Sequence, residues 1–167
     1  MSQAVLALGA NLGDPAAALQ EAVDALASGG KVLAVSGVYQ TAPVGGPPQP
    51  DYLNAVVLVE TELSATELLA LAHSVEAAAG RERLERWGPR TLDVDVIVYD
   101  DLVSADPSLT LPHPRAHERG FVLAPWAEVA PDALLPGRGR IVDLLGTVDT
   151  SGVRRLDDVT LTLPEAS

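Results

Sequence analysis

The stretch Arg86-Trp87-Gly88-Pro89-Arg90-Thr91-Leu92-Asp93-Val94-Asp95-Val96-Ile97-Val98-Tyr99-Asp100-Asp101 decides how the chain is read. A turn-forming Gly88-Pro89 pair leads into a run of alternating character. Leu92, Val94, Val96 and Val98 share one parity; Thr91, Asp93, Asp95, Ile97 and Tyr99 share the other. Successive side chains of a strand point to opposite faces, so Asp93 and Asp95 stand side by side, about 7 Å apart at ~3.3 Å per residue. The aliphatic parity anchors the strand in a core.

Two neighbouring carboxylates repel each other, and each gains from a shared cation. Their spacing suits oxygen-liganded divalent ions, which lie roughly 3.5–4 Å apart in two-metal sites. A bare Asp-x-Asp also occurs on the solvated face of an edge strand. What precedes this one argues for a site. Arg81, Arg83, Arg86 and Arg90 crowd together, and arginines beside a carboxylate pair suit Mg²⁺ with a polyphosphate.

The 167 residues are enough for one domain with a substantial core, and the segment from about 132 to 167 reads as peripheral to it. Hydrophobic residues make up 47% but aromatics only 4%, so that core is built from Ala, Val and Leu. A net charge of −12 argues against nucleic acid or an anionic membrane as partner. Yet six of the 11 basic residues fall between Arg81 and Arg119, which gives an anionic ligand a local positive field. The absence of cysteine excludes disulfides, thiolate metal sites and a thiol nucleophile. No long apolar run or basic leader is present, so a soluble cytoplasmic protein, working as a monomer, is the expectation.

Upstream, residues 4 to 9 read as a buried strand, and a turn at Gly9-Ala-Asn11-Leu-Gly13 follows. Asn11 suits either the turn or a ligand. Asp14-Pro15 is an N-cap with proline at the first helical position; Leu19, Val23 and Leu26 continue at helical spacing until Gly29-Gly30. Residues 31 to 40 read as a second strand. The segment from Thr41 to Pro50 carries four prolines and two glycines, and serves as a surface loop or a binding loop. Tyr52 to Glu60 reads as a central strand, apolar on both faces but for Asn54, whose amide either ties down a loop or reads a polar ligand. Ser64-Ala-Thr-Glu67 is a capping box opening a helix that runs to Gly80. On it, Glu76 and His73 read most simply as solvated side chains. Phe121 to Trp126 suits a helix interrupted at Pro125, with Trp126 in the core.

The order strand, helix, strand, strand, helix, strand is that of a ferredoxin-like α+β sandwich, an antiparallel sheet with helices packed on one face. Such a fold says nothing about chemistry by itself.

The run Arg86-Trp87-Gly88-Pro89-Arg90-Thr91-Leu92-Asp93-Val94-Asp95 resembles the signature of the 6-hydroxymethyl-7,8-dihydropterin pyrophosphokinase family, enzymes of folate synthesis. Supporting segments follow the same order: Gly9-Ala-Asn11-Leu, Tyr39-Gln-Thr41-Ala-Pro43, Gln49-Pro-Asp-Tyr52-Leu-Asn54-Ala, and Leu111-Pro-His113-Pro-Arg-x-x-Glu-Arg119-x-Phe121. The resemblance implies transfer of an intact pyrophosphoryl group from ATP to the pterin hydroxymethyl, leaving AMP. It implies two Mg²⁺ ions on Asp93 and Asp95, with Asp95 also placed to accept the substrate proton, and catalytic roles for Arg81, Arg90 and Asp95.

For ATP the resemblance points to His73, Glu76, Arg81, Arg83, Trp87, Arg90, Thr110, His113 and Arg119. For the pterin it points to Thr41, Pro43, Val44, Tyr52, Asn54, Asp93 and Phe121, with the flat ring between Tyr52 and Phe121. The loop Arg81-Glu-Arg-Leu-Glu-Arg86 is one residue shorter than in some relatives, and Pro114 stands where some have an aromatic. Two rivals are a Mg²⁺-dependent Asp-x-Asp nucleotidyltransferase, which would release pyrophosphate rather than AMP, and a ferredoxin-like small-molecule sensor, which would bind ATP without turnover.

Overall fold

The computed structural model describes residues 1–11, 13–42, 51–81 and 92–164, with Gly80 and Arg81 described by backbone alone. Strand β1 (Ser2–Ala10) is followed by helix α1 (Pro15–Leu26), strands β2 (Lys31–Val35), β3 (Val38–Thr41) and β4 (Tyr52–Thr61), helix α2 (Ala65–Arg81) and strand β5 (Asp93–Tyr99). Two short strands, β6 (Ser104–Asp106) and β7 (Leu109–Leu111), precede helix α3 (Gly120–Val129). A small hairpin, β8 (Leu134–Leu135) with β9 (Gly139–Arg140), helix α4 (Ile141–Leu145) and strand β10 (Arg154–Leu156) complete the chain. Among the described residues, no helix is long and apolar enough to cross a membrane.

Local signals account for both early helices. The Asp14 carboxylate accepts from the Ala17 N–H at 3.1 Å, and Pro15 opens α1. At α2, Ser64 Oγ accepts from the Glu67 N–H at 3.1 Å while Glu67 Oε1 accepts from the Ser64 N–H at 2.9 Å, a complete capping box.

The main sheet is mixed with helices in an α/β fold, antiparallel at every pairing, in the order β10-β3-β4-β1-β5, with β2 also paired to β4. The expected strand over residues 31 to 40 is in fact two. Ser36 interrupts it: its Oγ accepts from the Val56 N–H at 2.9 Å, so a side chain takes the place of a backbone rung. Both halves still pair with β4.

Alternation along β1 and β4 sorts the core into two layers. Ala4, Leu6, Leu8 and Ala10 join Ala55, Val57 and Val59 beneath α1 and α2. Val5, Ala7 and Val56 face the other way, toward Val122, Leu123 and Trp126 of α3. Helices therefore cover both faces, whereas one covered face was expected; α3 finds a second apolar layer because β4 is apolar on both parities. Pro125 does not interrupt α3, which runs through it to Val129. Proline lacks the N–H for one backbone rung but leaves the φ of a helix undisturbed, and its ring is buried with Trp126.

The parity expected for β5 holds as far as Ile97. Pairing with β1 shifts between Val5↔Val98 and Leu6↔Val96, leaving Ile97 as an extra residue. This β-bulge reverses the later side chains. Val98 joins Ile97 under α3, and Tyr99 packs with the opposite layer. The segment from Asp132, expected at the periphery, supplies the sheet's edge strand β10 and the buried Leu135, Ile141 and Leu161.

Gly30 lies where a Cβ would fall well inside contact distance of the Glu60 carbonyl, a backbone atom that cannot swing away. Gly30→Ala is therefore expected to destabilise the fold by ~1–3 kcal/mol, read as a lower urea midpoint with unchanged slope; a wild-type midpoint would contradict this packing.

Candidate functional site

The face carrying α3 is only partly covered. Beyond the N-terminal turn of α3 the sheet stays open and forms one wall of a cleft of about 710 Å³. Its floor is a row across neighbouring strands. Asp93 of β5 pairs with Gly9 of β1, and Gly9 in turn with Asn54 of β4. One step along, Asp95 pairs with Ala7. The floor is deep because its central residues are the smallest available; a Cβ on Gly9 would come within 3.2 Å of Asn54 Oδ1.

Thr41, Tyr52, Asn54, Asp93, Asp95, Arg119 and Phe121, separated by up to 80 positions in sequence (41 to 121), all line this cleft. Asn54 is buried, and its amide donates to Thr41 Oγ1 at 2.9 Å and to the Tyr39 carbonyl at 3.3 Å. It thus ties down the end of β3, the first of the two readings of an amide in an apolar strand, and it also lines the cleft. The Arg119 guanidinium lies over the Phe121 ring, 5.5 Å from its centroid, holding a cation at the first turn of α3.

Asp93 and Asp95 are half-buried and side by side, as the alternation requires. Among the described residues, no group of three or more His, Cys, Asp or Glu converges as a ready-made metal cage. Two carboxylates on an open wall, hard oxygen donors with coordination positions left for phosphate and water, fit Mg²⁺ and not a structural transition-metal site.

Other expected residues lie outside the cleft. His73 is exposed on α2. Glu76 Oε2 accepts from the Val94 N–H at 2.7 Å, bracing β5 between the two aspartates. Thr110 is exposed on β7, its hydroxyl donating to the Asp106 carbonyl at 3.1 Å. His113 is half-buried near the rim; its N–H donates to the Ile97 carbonyl at 2.8 Å, and its Nδ1 accepts from the Arg115 N–H at 3.2 Å. Burial lowers its pKa below the ordinary value; the Asp95 charge opposes this, and Arg119 and Arg115 add to it. Pro43, Val44, Arg83, Trp87 and Arg90 lie outside the described residues, as does the Arg81 side chain.

The cleft also contains residues given no role from sequence: Arg115, Glu118, and the turn Asp149, Ser151, Gly152 and Val153. The first two sit inside the quoted Leu111-to-Phe121 motif, so a signal was present. Nothing in the composition of the last turn marks it.

Comparison with known proteins gives a consistent picture. The sequence model of the family 7,8-dihydro-6-hydroxymethylpterin-pyrophosphokinase (HPPK) matches residues 5–131. A 2-amino-4-hydroxy-6-hydroxymethyldihydropteridine pyrophosphokinase of Methylorubrum extorquens is 45% identical over 159 residues, covering 94% of this chain and 100% of that protein. The protein of the same name from Mycobacterium leprae is 45% identical, covering 100% of this chain and 95% of its own. Among solved structures, wild-type Plasmodium falciparum HPPK-DHPS superposes with a TM-score of 0.65 at 15% identity, over 87% of this chain and 44% of that one. An HPPK-DHPS in complex with substrates gives a TM-score of 0.68 at 11% identity, over 87% of this chain and 43% of that one. The chain thus spans less than half the length of those two structures, and at such identities the likeness is one of fold.

The depressed pKa of His113 has a consequence for stability. The folded chain binds that proton less readily than the unfolded one, whose imidazole titrates near 6.5. The contribution to stability is full above that pH and is lost as pH falls below it toward the folded value. Urea unfolding between about pH 7 and pH 5 is expected to show a steeper loss of stability in the wild type than in His113→Gln; equal slopes would place the imidazole in water.

Proposed function

The chain belongs to the 7,8-dihydro-6-hydroxymethylpterin-pyrophosphokinase family, and from that premise we propose that it transfers a pyrophosphoryl group from ATP to 6-hydroxymethyl-7,8-dihydropterin in folate biosynthesis, releasing AMP. The observation that carries this reading is the placement of Asp93 and Asp95 on the open half of the sheet, in one cleft with Tyr52, Asn54 and Phe121.

The substrate divides along that cleft by chemistry. Tyr52 and Phe121 offer flat apolar faces to a flat ring, and Asn54 and Thr41 offer the polar edge that a pterin amide requires. Asp93 and Asp95 would hold Mg²⁺, two ions in this reading, which when bound neutralises the triphosphate and so favours attack at the β-phosphorus. Arg119, fixed over Phe121, meets phosphate charge with a guanidinium fork, and Arg115 adds a second cation to the same wall. Arg81 and Arg90 are assigned to the phosphates by resemblance, as are Arg83 and Trp87. Asp95, nearest the attacking hydroxyl in this reading, accepts its proton. The finer architecture is taken as ferredoxin-like, supported by the order β5-β1-β4 with β2 and β3 beyond β4.

Asp95→Ala is expected to abolish formation of AMP and pterin diphosphate from ATP, Mg²⁺ and hydroxymethyl-dihydropterin while leaving the unfolding midpoint unchanged; near wild-type turnover would remove Asp95 from the site. Asn54→Ala should weaken pterin binding by about tenfold, the effect of one lost polar contact of ~1.4 kcal/mol, and leave ATP binding much less affected. Calorimetry with each ligand separately checks this, and equal losses would contradict the assignment.

A further inference from the structure

The cleft wall formed by Asp149, Ser151, Gly152 and Val153 lies beyond residue 131, where the family match ends. It has no strand or helix of its own, so something else must hold it. Two features do. The turn packs on the first residue of α3: a Cβ on Gly120 would meet Thr150 Cγ2 at 3.2 Å, the Asp149 carbonyl at 3.5 Å and Val153 Cγ2 at 3.5 Å. Gly120 is next to Phe121, so this close approach sets the turn beside the face assigned to the pterin.

The second feature is a clasp immediately after the turn. Strand β10 pairs with β3 through Arg155↔Tyr39. Glu128, near the end of α3, gathers three donors at that point. Its Oε1 accepts from Tyr39 Oη at 2.7 Å and from Arg155 Nε at 3.1 Å, and its Oε2 accepts from the Gly37 N–H at 2.8 Å. A Cβ on Gly37 would fall 2.6 Å from Arg155 Nη2, so the guanidinium lies directly over the Gly37 backbone. The clasp is ionised. Burial raises the Glu128 carboxyl, but the hydrogen bonds from Arg155, Tyr39 and Gly37 outweigh it and leave it below the usual carboxylate range. Tyr39 is pushed up to about 12, first by burial and then by Glu128. The same β3 segment carries the Tyr39 carbonyl and the Thr41 hydroxyl that receive Asn54.

We propose that the turn Asp149–Val153 is a substrate-facing wall of the cleft on its pterin side, and that Glu128 is a positioning residue that holds this wall through Arg155 and Tyr39. The inference rests on the pyrophosphokinase reading for the identity of the substrate. Glu128 touches no reacting atom; it fixes where the wall stands, and a small displacement of such a wall is felt at the reacting centre.

Two variants test this. Gly152 lines the cleft, and a Cβ there meets nothing within 4 Å, so Gly152→Leu adds bulk to the slot without disturbing the fold. It is expected to raise the KM for hydroxymethyl-dihydropterin at least about fivefold, with the KM for ATP and the unfolding midpoint at wild-type values. Glu128→Ala is expected to lower kcat/KM for the pterin roughly tenfold, within the range of a remote misplacement, while the KM for ATP stays unchanged. Glu128→Gln, which keeps the shape and one acceptor oxygen, should recover part of the loss. A wild-type pterin KM in Gly152→Leu, or parallel losses for both substrates in Glu128→Ala, overturns the proposal. Absence of AMP formation by the wild type would instead overturn the reading beneath it, and the two failures are distinguishable.

Discussion

A strand sends alternate residues to opposite faces, and the cleft exists because β1 obeys that rule with side chains of very different size. Leu6 and Leu8 fill the layer under α1 and α2, while the intervening Ala7 and Gly9 leave the other face unfilled. Because β1 lies between β4 and β5, the small residues become a floor, and the side chains of both neighbours stand around it. Asp93 and Asp95 on one side and Asn54 on the other are brought within reach of a single ligand by pairing alone. Sites carried on strands hold geometry more tightly than sites carried on loops, which suits a reaction whose catalysis is chiefly positioning and electrostatics.

The unequal covering of the two faces follows from the same alternation. The layer under α1 and α2 is apolar along the whole of β1, from Ala4 to Ala10. The opposite layer is apolar only at the Val5 end, where Val5, Val56, Ile97 and Val98 meet Leu123 and Trp126. Helix α3 covers what is apolar and stops at Gly120, and the polar remainder is the cleft. Charge completes the arrangement. In a chain of net charge −12, Arg115 and Arg119 share that wall with the aspartates, so the cleft presents charges of both signs side by side.

Much of this could be read from the amino acids, and what could not has identifiable causes. The Asp-x-Asp alternation, the capping box at Ser64, the proline-initiated α1 and the two-faced apolar β4 are signals a few residues long, and local geometry dictates them. The bulge at Ile97 is different: every residue there is aliphatic, so nothing local marks the position where Val98 and Tyr99 exchange faces. The break at Ser36 depends on a partner 20 residues away. The second covered face is hard to read locally because α3 carries a proline, whose helix-interior cost of about 3 kcal/mol is offset only by tertiary burial of Leu123 and Trp126. Asp149 to Val153 were invisible as cleft residues because what brings them there is long-range: their close packing on Gly120, about 30 residues earlier in the chain, leaves no mark in the local sequence. Glu76 read as a solvated carboxylate, yet it takes the Val94 N–H, a role that no helical spacing reveals.

The edge position of β5 explains how two motifs 20 residues apart in sequence come to serve one cleft. An edge strand presents unpaired N–H and C=O groups that must be covered or left to water. Here the exposed edge is used twice. The Val94 N–H donates to Glu76 from α2, fixing the strand between its two aspartates. The Ile97 carbonyl, at the bulge itself, accepts from the His113 N–H. That second bond pins the segment following β7 against β5, and from there the chain has only a short turn before Arg119 and Phe121 reach the rim. Had β5 been an interior strand, both groups would have gone to a neighbouring strand, and the segment carrying Arg115, Arg119 and Phe121 would have lacked this anchor beside Asp95. The unpaired edge is thus what lets the arginines and the carboxylate pair share one wall.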